Sequence, residues 1–483
     1  MSKFLSNVIK LGSATLLGQI LGIIVTPILS RLYTPADFGI FHLFFSLVSL
    51  IAVVSSLSYQ SAINLPKKDE DAAIIVVLCL CLIIITSILS TALIFIFSGY
   101  IGQLLNSPDL FNYLWLLPLA IIANSVAYVL GFWLSRREQF GTMAKANLSS
   151  SITGKASSIG FGIISPSPFG LIFGTIINDA TIVVVSLKKT VGDFHFFQKM
   201  SYQKMKQLAM RYKRFPQYNL GANLASSAAV QVTPFMLAFF FSFVVVGYYA
   251  MAYMIMVLPS KLIGNSLTSV FYQKACTEKN LTGSITNVVK SVHTRLISIG
   301  MFICLIIMIT GPELFAFVLG ATWLSAGIYA QILAPWFFVV FISSPLMSIF
   351  NVLEMQGANF GFNVLLLITR IVVLLIAGLL GNPLLGLILL SGTGVIFWSW
   401  MNMYLLKIAG VSVRDAIQEI LRYLVFGLIV CLPLIIAKYY SVSSGILIAI
   451  AVSLTIIYYS IVVYRDTQLK EGVMHFLKTI SQK

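Results

Sequence analysis

Two stretches of this chain carry nearly the same pattern: residues 24–43 read IVTPILSRLYTPADFGIFHL and residues 231–252 read QVTPFMLAFFFSFVVVGYYAMA. Each has Val-Thr-Pro inside an apolar run, and a glycine and bulky residues follow. Thr26 precedes Gly39 by 13 positions, and Thr233 precedes Gly247 by 14. The pattern predicts an internal repeat whose copies lie about 207 positions apart.

The composition is that of a chain that lies largely within a lipid bilayer. Of its 483 residues, 59% are hydrophobic and 10% are charged, and the mean hydropathy is +0.96. A soluble globular chain carries about 25% charged residues, so this chain lacks the polar surface to face water. Runs of about 20 apolar residues recur, the length that crosses roughly 30 Å of hydrocarbon as a helix. We therefore predict an all-α polytopic membrane protein with about fourteen transmembrane helices.

Basic residues alternate between the two sides of these predicted helices. The turns on one side contain no Lys or Arg, whereas those on the other side include Lys67, Arg136, Lys274 and Arg414. The positive-inside rule then places both chain termini in the cytoplasm. The net charge of +16 is therefore interpreted as a topology signal and a contact with membrane lipids, and nucleic acid is not expected as a partner.

The repeat predicts two six-helix lobes of like orientation, with a substrate path between them, a plan known among transporters. We place the N-lobe at residues 1–187 and the C-lobe at 216–408, followed by an additional helix pair and a cytoplasmic tail at 409–483. Residues 188–215 form a basic linker. The segment SYQKMKQLAMRYKRFPQY, residues 201–218, begins in this linker. It has apolar residues at helical spacing among lysines and arginines, which predicts an amphipathic helix along the cytoplasmic headgroups.

Two classes of site are not expected in this chain. No long loop is present to house a soluble catalytic domain, so we do not predict an enzyme. The five cysteines show no metal-ligand spacing and are interpreted as small apolar residues, so we predict neither a metal nor a cofactor.

Helices one, two, five and seven each carry polar residues three or four positions apart, which places those residues on one helix face. Such stripes are typical of a hydrated cavity, and close packing of small residues in lipid is the alternative explanation. Ser and Gly fit either explanation, whereas amide side chains favour the cavity. The amides that we expect to contact substrate are Gln19, Asn147, Asn223 and Gln231.

Two cations fall within predicted spans, Lys155 in helix five and Arg370 in GFNVLLLITRIVVLLIAGLLG. A cation at mid-membrane costs about 2.5–3.5 kcal/mol on insertion scales, so it is expected to face water, a partner or a ligand. For Lys155 the alternative is a structural ion pair with Asp179 of helix six. Arg31 and Lys261, near helix ends, are further candidates for binding the substrate headgroup. The alternative is that their side chains extend to the membrane interface, which would also explain their positions.

The predicted spans hold more fixed positive than negative charge, which favours an anionic substrate over a cationic drug. Asp179 is the one carboxylate that we place near mid-membrane. His42 is a further candidate, because a histidine inside the cavity could titrate.

Four stretches of the chain resemble a known family. RLYTPADFGIFHLFFSLVSLIAVVSSLSYQSAINLPKKDEDAA is similar to the opening of the bacterial polysaccharide-lipid flippases, the Wzx-like members of the MOP exporter superfamily. RYKRFPQYNLGANLASS with FSFVVVGYYAMAYMIMVLPSKLIGNSLTSVFYQKA looks like the start of that family's second half. FVLGATWLSAGIYAQILAPWFFVVFISSPL resembles its ninth and tenth helices.

The resemblance implies a MOP- and MATE-like fold and an export step in the bacterial inner membrane. Such proteins are thought to pass oligosaccharide units carried on undecaprenyl diphosphate to the outer leaflet, by alternating access, for O-antigen, capsule or exopolysaccharide assembly. A polysaccharide polymerase or chain-length machinery would then be a further partner. Lys155 and Arg370 could neutralise the diphosphate, and the four amides could bind sugar hydroxyls.

The chain departs from the family pattern at Ser58-Tyr59-Gln60, where relatives often have Arg-Tyr-Glu. If that glutamate couples transport to an ion, coupling to H⁺ or Na⁺ must lie elsewhere here, and we leave the ion unassigned. Two alternative functions stay open: a multidrug or metabolite antiporter on the same scaffold, and a flippase for a lipid-linked peptidoglycan precursor. A polysaccharide polymerase or ligase would need a sizeable periplasmic loop with Arg or His, which we do not find in the sequence.

Overall fold

A computed structural model describes residues 3–97, 109–193, 196, 201–264, 271, 274–279, 281, 283–352 and 356–465. The side chains of residues 3–11, 263–264, 351–352 and 356–359 are not described. Within these ranges every regular element is a helix.

Fourteen long helices follow one another in the described part of the chain. The first seven are α1 Lys3–Leu32, α2 Pro35–Ser55, α3 Asp69–Ile96, α4 Leu117–Arg136, α5 Phe140–Ile164, α6 Pro168–Thr190 and α7 Leu220–Phe240. The others are α8 Phe243–Met256, α9 Thr286–Leu319, α10 Leu324–Ser343, α11 Gln356–Leu379, α12 Pro383–Ile408, α13 Val413–Tyr439 and α14 Ser444–Arg465.

Twelve of these helices, with the short helical turns that extend some of them, are long and apolar enough to cross a membrane. The other two are α5, which has 25 residues but is richer in Ser and Thr, and α8, which has 14. The prediction of an all-α fold with about fourteen membrane helices is confirmed.

Proline and glycine mark several helix boundaries. Pro35 and Pro168 open α2 and α6, where the missing N–H would have had no intrahelical partner. Gly381 and Gly410 follow α11 and α12 with φ of +66° and +76°, a left-handed conformation that glycine adopts without steric cost. These residues keep the connections between successive spans short.

The chain divides into two compact units. Unit 1 contains Met1–Met251 and Phe360–Gly386, so it holds α1–α7, the beginning of α8, most of α11 and the first residues of α12. Unit 2 contains Ala252–Asn359 and Leu387–Lys483. The predicted lobes at 1–187 and 216–408, the linker at 188–215 and the additional pair at 409–483 stay predictions.

Unit 1 is held together by close helix contacts at small residues. A Cβ on Gly154 of α5 would lie 2.9 Å from the carbonyl oxygen of Gly174 on α6, so the two helices approach at backbone distance. Tyr33, at the end of α1, donates a hydrogen bond of 2.6 Å to the carbonyl of Ser158 on α5. These contacts fix the faces that α5 presents to α1 and to α6.

The predicted linker helix is present as Tyr202–Arg211, and its apolar face packs on protein. Leu208 and Tyr212 are buried in a cluster with residues of α3, and Tyr59 donates a hydrogen bond of 3.0 Å to the carbonyl of Ala209. Its lysines and arginines are exposed. That this helix also lies along the headgroups stays a prediction.

In unit 2, α10, α13 and α14 all pack on α9. The rings of Phe302 on α9 and Tyr458 on α14 stack with centroids 4.2 Å apart, and Tyr458 donates a hydrogen bond of 2.9 Å to the carbonyl of Ser298. Lys438 of α13 forms an ion pair of 3.0 Å with Glu313 of α9. The last two helices are thus an integral part of this unit, whereas the predicted tail beyond residue 465 lies outside the described residues.

Candidate functional site

Lys155 is a cation on the membrane helix α5, and none of the described residues is its partner. Its side chain is half-buried on α5, and the structure gives its ammonium group neither a hydrogen-bond acceptor nor an ion-pair partner within the described ranges. An ammonium group withdrawn from bulk water is costly unless water or a ligand solvates it. Lys155 is therefore the strongest candidate among the predicted cations.

The predicted alternative for Lys155, an ion pair with Asp179, is not formed. The α5–α6 contact runs through Gly154, whose Cβ would lie 2.7 Å from the Cβ of Asn178. Lys155 follows Gly154, and Asp179 follows Asn178. Because successive residues of a helix are rotated by about 100°, neither charged side chain lies on the face that the two helices share. Asp179 instead accepts a hydrogen bond of 3.0 Å from Asn124 on α4.

The side of α5 that carries Lys155 faces α1. Ser151, one turn before Lys155, contacts α1 at Gly18, where a Cβ would lie 2.7 Å from the serine Oγ. Next to Gly18, the Oε1 of Gln19 is buried and accepts no hydrogen bond. One turn further on, a Cβ on Gly22 would meet no heavy atom within 4 Å. An unpaired donor, an unpaired acceptor and open space thus occur along the same pair of helices.

The predicted stripes of α2 and α7 face each other. Ser46 donates a hydrogen bond of 3.0 Å to Oε1 of Gln231, and Asn223 donates one of 3.4 Å to the hydroxyl of Ser58. His42, one turn before Ser46, has a buried Nδ1 without a hydrogen-bond partner. Part of these stripes therefore serves helix packing, which was the alternative explanation, while His42 keeps an unused ring nitrogen.

Arg370 of α11 donates a hydrogen bond to the backbone carbonyl of Ala229 on α7. Ala229 is buried and lies five residues before Pro234, which interrupts the backbone hydrogen bonding of α7. The carbonyl that the proline leaves without a helical donor is that of Val230, so Arg370 joins α11 to α7 close to the proline without replacing the missing bond, a structural role that was not predicted from the sequence. Its charge can also serve a ligand.

A cavity of about 490 Å³ lies between α4, α5 and α6 of unit 1, and Asp179, Asn124 and Asn147 line it. Asn64, from the connection between α2 and α3, and Ser135, near the end of α4, also line it. The cavity therefore extends from the level of Asp179 to the end of the unit at which α4 and α6 terminate and α5 begins. A carboxylate at its inner end can bind a proton or a small cation.

The two remaining predicted cations lie at helix ends. Arg31 is exposed in the last turn of α1. Lys261 is exposed in a π-helical turn, Ser260–Gly264, that belongs to unit 2. Neither has an ion-pair partner in the part of the chain that the structure describes, as expected for side chains that extend toward the interface.

Two features were not predicted from the sequence: Asn124, which donates a hydrogen bond to Asp179, and the buried pair His293 and Asn402 in unit 2. The His293 Nε2 lies 3.1 Å from Oδ1 of Asn402, and both residues are more than nine-tenths buried. The sequence does contain a sign of both features, because a single amide side chain lies within each of the apolar runs LPLAIIANSVAYVL and FWSWMNMYLL. An isolated amide in a membrane helix usually finds a hydrogen-bond partner on another helix.

Comparison with protein families identifies the chain. A model described as "Polysaccharide biosynthesis protein" matches residues 28–327, which is more than half of the sequence. The chain belongs to the polysaccharide biosynthesis protein family. The matched region includes the second copy of the repeat, the first copy from residue 28 onward, Lys155 and the α2–α7 contact. Comparison with functionally curated proteins finds no matching sequence.

Solved structures give this family member the fold of the MOP exporters. The lipid II flippase MurJ in an inward closed conformation has a TM-score of 0.69 at 13% identity, over 94% of this chain and 99% of that one. An inward-facing multidrug resistance MATE transporter of the MOP superfamily has a TM-score of 0.58 at 15% identity, over 82% and 96%. A bent form of the Vibrio cholerae MATE transporter VcmN reaches 0.51 at 14%, over 86% and 99%.

The family and the fold confirm the predicted resemblance to MOP-superfamily flippases. Identities of 13–15% show the fold alone, so the substrates named for those proteins are not transferred by the comparison. The chain is a multi-pass membrane transporter of the polysaccharide biosynthesis family. Its unit 1 offers an unpaired ammonium, unpaired polar atoms and a carboxylate-bearing cavity.

Proposed function

We propose that this protein flips oligosaccharides linked to undecaprenyl diphosphate from the cytoplasmic to the outer leaflet of a bacterial inner membrane. The family match is the observation that carries the proposal. The chemistry of unit 1 agrees with it, because a diphosphate needs cations and a glycan needs hydrogen-bonding groups. The product would be consumed by a polysaccharide polymerase or chain-length machinery.

In this proposal Lys155 and Arg370 neutralise the diphosphate, and Arg31 and Lys261 attract it from the membrane interface. Gln19, Asn147, Asn223 and Gln231 bind sugar hydroxyls, while the polyprenyl chain stays in lipid. Both chain termini face the cytoplasm, as the distribution of basic residues predicts. Movement between inward-open and outward-open states carries the headgroup across, with no covalent chemistry.

The Lys155→Ala variant tests this proposal. We expect its initial flipping rate to fall at least about tenfold, because loss of one charge-assisted contact to phosphate exceeds about 1.4 kcal/mol. The measurement uses proteoliposomes with a fluorescent diphosphate-linked glycolipid and an external quencher that reads the outer leaflet. Lys155→Arg should retain most of the rate, since it keeps the charge.

Lys290→Ala is the matched control, because Lys290 is exposed in unit 2 and forms a surface ion pair with Asp415. Surface pairs contribute little, so its rate should equal that of the wild type. If correctly inserted Lys155→Ala protein flips the glycolipid at the wild-type rate, Lys155 is not part of the substrate path.

We further propose that Asp179 couples flipping to H⁺ or Na⁺, because the cavity of unit 1 leads to its carboxylate. In Asp179→Asn proteoliposomes the rate should no longer respond to an imposed H⁺ or Na⁺ gradient, although flipping down the substrate gradient continues. Ser135→Ala, at the same cavity but outside the proposed substrate-binding residues, is the control that keeps the carboxylate. A gradient response of normal size in Asp179→Asn would place coupling elsewhere; His42, with its unpaired ring nitrogen, is the next candidate.

The second candidate substrate is a lipid-linked peptidoglycan precursor, which the likeness in fold to the lipid II flippase favours. It shares the diphosphate and the polyprenyl chain with the first candidate, so both predict the same effect of Lys155→Ala. The two are separated by measuring the rate with each glycolipid in the same proteoliposomes. A higher rate with the peptidoglycan precursor would favour the second candidate, and transport of organic cations instead would favour the antiporter.

A further inference from the structure

The two copies of the sequence repeat touch each other directly through their glycines. A Cβ on Gly39 of α2 would overlap the carbonyl oxygen of Phe243, and a Cβ on Gly247 of α8 would overlap the carbonyl oxygen of Pro35. The Cβ position of Gly39 is also 3.1 Å from the nitrogen of Gly247, and that of Gly247 is 3.2 Å from the nitrogen of Gly39. Backbone atoms meet backbone atoms here, and no flexible side chain could give way.

This contact is reciprocal. Gly39 meets the residue one turn before Gly247, and Gly247 meets the residue one turn before Gly39. The pairs 35 and 243, and 39 and 247, share one sequence offset of 208 positions. When residue i of one copy contacts residue j of the other, and residue j of the first copy contacts residue i of the second, a two-fold axis relates the two copies. A local two-fold therefore relates the beginning of α2 to the beginning of α8.

The local structure on the two sides of the contact is also equivalent. Two residues separate α1 from α2 and two separate α7 from α8. In the first connection Thr34 Oγ1 accepts a hydrogen bond of 3.2 Å from the N–H of Asp37, and in the second Ser242 Oγ accepts one of 3.4 Å from Val245. The extra residue between Thr233 and Gly247 consequently lies within α7.

Both helices that lead into the contact carry an internal proline, Pro27 in α1 and Pro234 in α7. Each proline removes a backbone hydrogen bond and creates a point at which its helix can bend. α8 also passes from unit 1 to unit 2 between residues 251 and 252, so the helix that carries Gly247 belongs to both units. The contact thus lies where two bendable arms of equivalent structure meet.

We propose that the Gly39–Gly247 crossing is a separable latch between the two repeats. It is closed when the transport path is shut at the end where α2 and α8 begin, and it parts when that end opens. Two glycines suit this task, because they allow backbone contact when closed and have no interdigitated side chains to disengage when open. Any side chain at either position would hold the latch apart.

Alanine variants of the two glycines test the latch. Gly39→Ala and Gly247→Ala should each lower the flipping rate at least about tenfold, and the double variant should be no slower than the slower single variant, because residues that act through one contact are not additive. Independent damage would instead multiply to about a hundredfold in the double variant. Gly160→Ala, in α5 with open space around it, is the control and should flip normally.

A second measurement does not depend on transport. In a cysteine-free background, Ile40→Cys places a thiol beside Gly39 at a position that is 5% exposed. A membrane-impermeant maleimide, applied from each side of oriented vesicles, should label this thiol at least about fivefold faster after Gly39→Ala, and from one side only. The rate assay rests on the proposed function and the labelling assay does not, so absence of flipping by the wild type together with faster labelling in Gly39→Ala would count against the substrate and leave the latch standing.

Three results would overturn the latch: slow labelling in Gly39→Ala, multiplicative losses in the double variant, or absence of both alanine variants from the membrane. The last would show that the crossing is needed for folding. Labelling that increases equally in Gly160→Ala would also contradict it, since that change does not touch the crossing.

Discussion

Replacement of Arg370 by alanine is expected to lower both the flipping rate and the stability of unit 1. Arg370 donates a hydrogen bond to the buried carbonyl of Ala229, near Pro234. Without the guanidinium this carbonyl loses a charged donor in a region where the proline has already removed a backbone hydrogen bond. The Ala229 carbonyl still accepts from the N–H of Thr233 within the helix, so the loss is that of one additional hydrogen bond from a charged donor, about 1.5–3 kcal/mol, which should appear as a thermal midpoint several degrees lower.

Two further variants separate the charge of Arg370 from its hydrogen bond. Arg370→Gln keeps an N–H donor without charge, so it should recover most of the stability yet flip at least about tenfold more slowly if the charge serves a diphosphate. Arg370→Lys keeps the charge on a single ammonium group and should flip faster than Arg370→Gln. Thermal midpoints in detergent and rates in proteoliposomes are measured on the same preparations.

Arg422→Ala is the control for general effects of removing an arginine, because Arg422 is 64% exposed and pairs weakly with Glu419. It should leave both quantities unchanged. Wild-type flipping by Arg370→Gln would show that Arg370 only supports α7, and would confine the cationic contact to Lys155.

The number and type of the membrane helices follow from hydropathy, because a bilayer requires long apolar runs whatever their neighbours. Even α5 could be predicted, although it carries Lys145, Lys155 and many hydroxyl groups. The chain must cross the membrane once between α4 and α6, and α5 is the segment between them. The helix assignments therefore needed no knowledge of packing.

Partners of individual side chains could not be predicted in the same way. Helical spacing shows which residues share a face, yet it does not say which helix that face meets. Lys155 and Asp179 looked like partners because their helices are consecutive, but Gly154 and Asn178 occupy the shared face and turn both charges away. Similarly, helical spacing identified the apolar face of the linker helix, but it could not show that Leu208 on this face packs on protein. Both differences depend on the rotation of one helix against another.

A network of charges joins three connections at one end of unit 1, and Asp69 is its centre. Asp69, in the first turn of α3, forms ion pairs of 2.9 Å with Arg136 and 2.5 Å with Arg137 at the end of α4. Arg136 also donates to the carbonyls of Ile63 and Pro66. Arg137 reaches Asp193, 3.4 Å away, after α6. The chain passing from α2 to α3 is thereby fixed to the ends of α4 and α6.

Asp69→Ala should therefore destabilise unit 1 more than the loss of any other surface-accessible acid among the residues that the structure describes. It leaves two adjacent guanidinium groups without their shared carboxylate, and Arg136 is only 11% exposed. Breaking a buried pair costs about 3–5 kcal/mol, which partial exposure of Asp69 reduces to about 1–3 kcal/mol. We expect lower abundance in the membrane and a thermal midpoint several degrees lower, measured on detergent-solubilised protein.

Asp71→Ala is the matched control, because Asp71 occupies the same helical turn and has no ion-pair partner among the residues that the structure describes. Both acids interact favourably with the N-terminus of α3, so the difference between the two variants isolates the arginine network from the helix dipole. High salt should narrow this difference only slightly, since salt screens partly buried pairs weakly. Equal midpoints for the two variants would mean that the arginines find other acceptors, and that the carbonyls of Ile63 and Pro66 suffice to hold the connection.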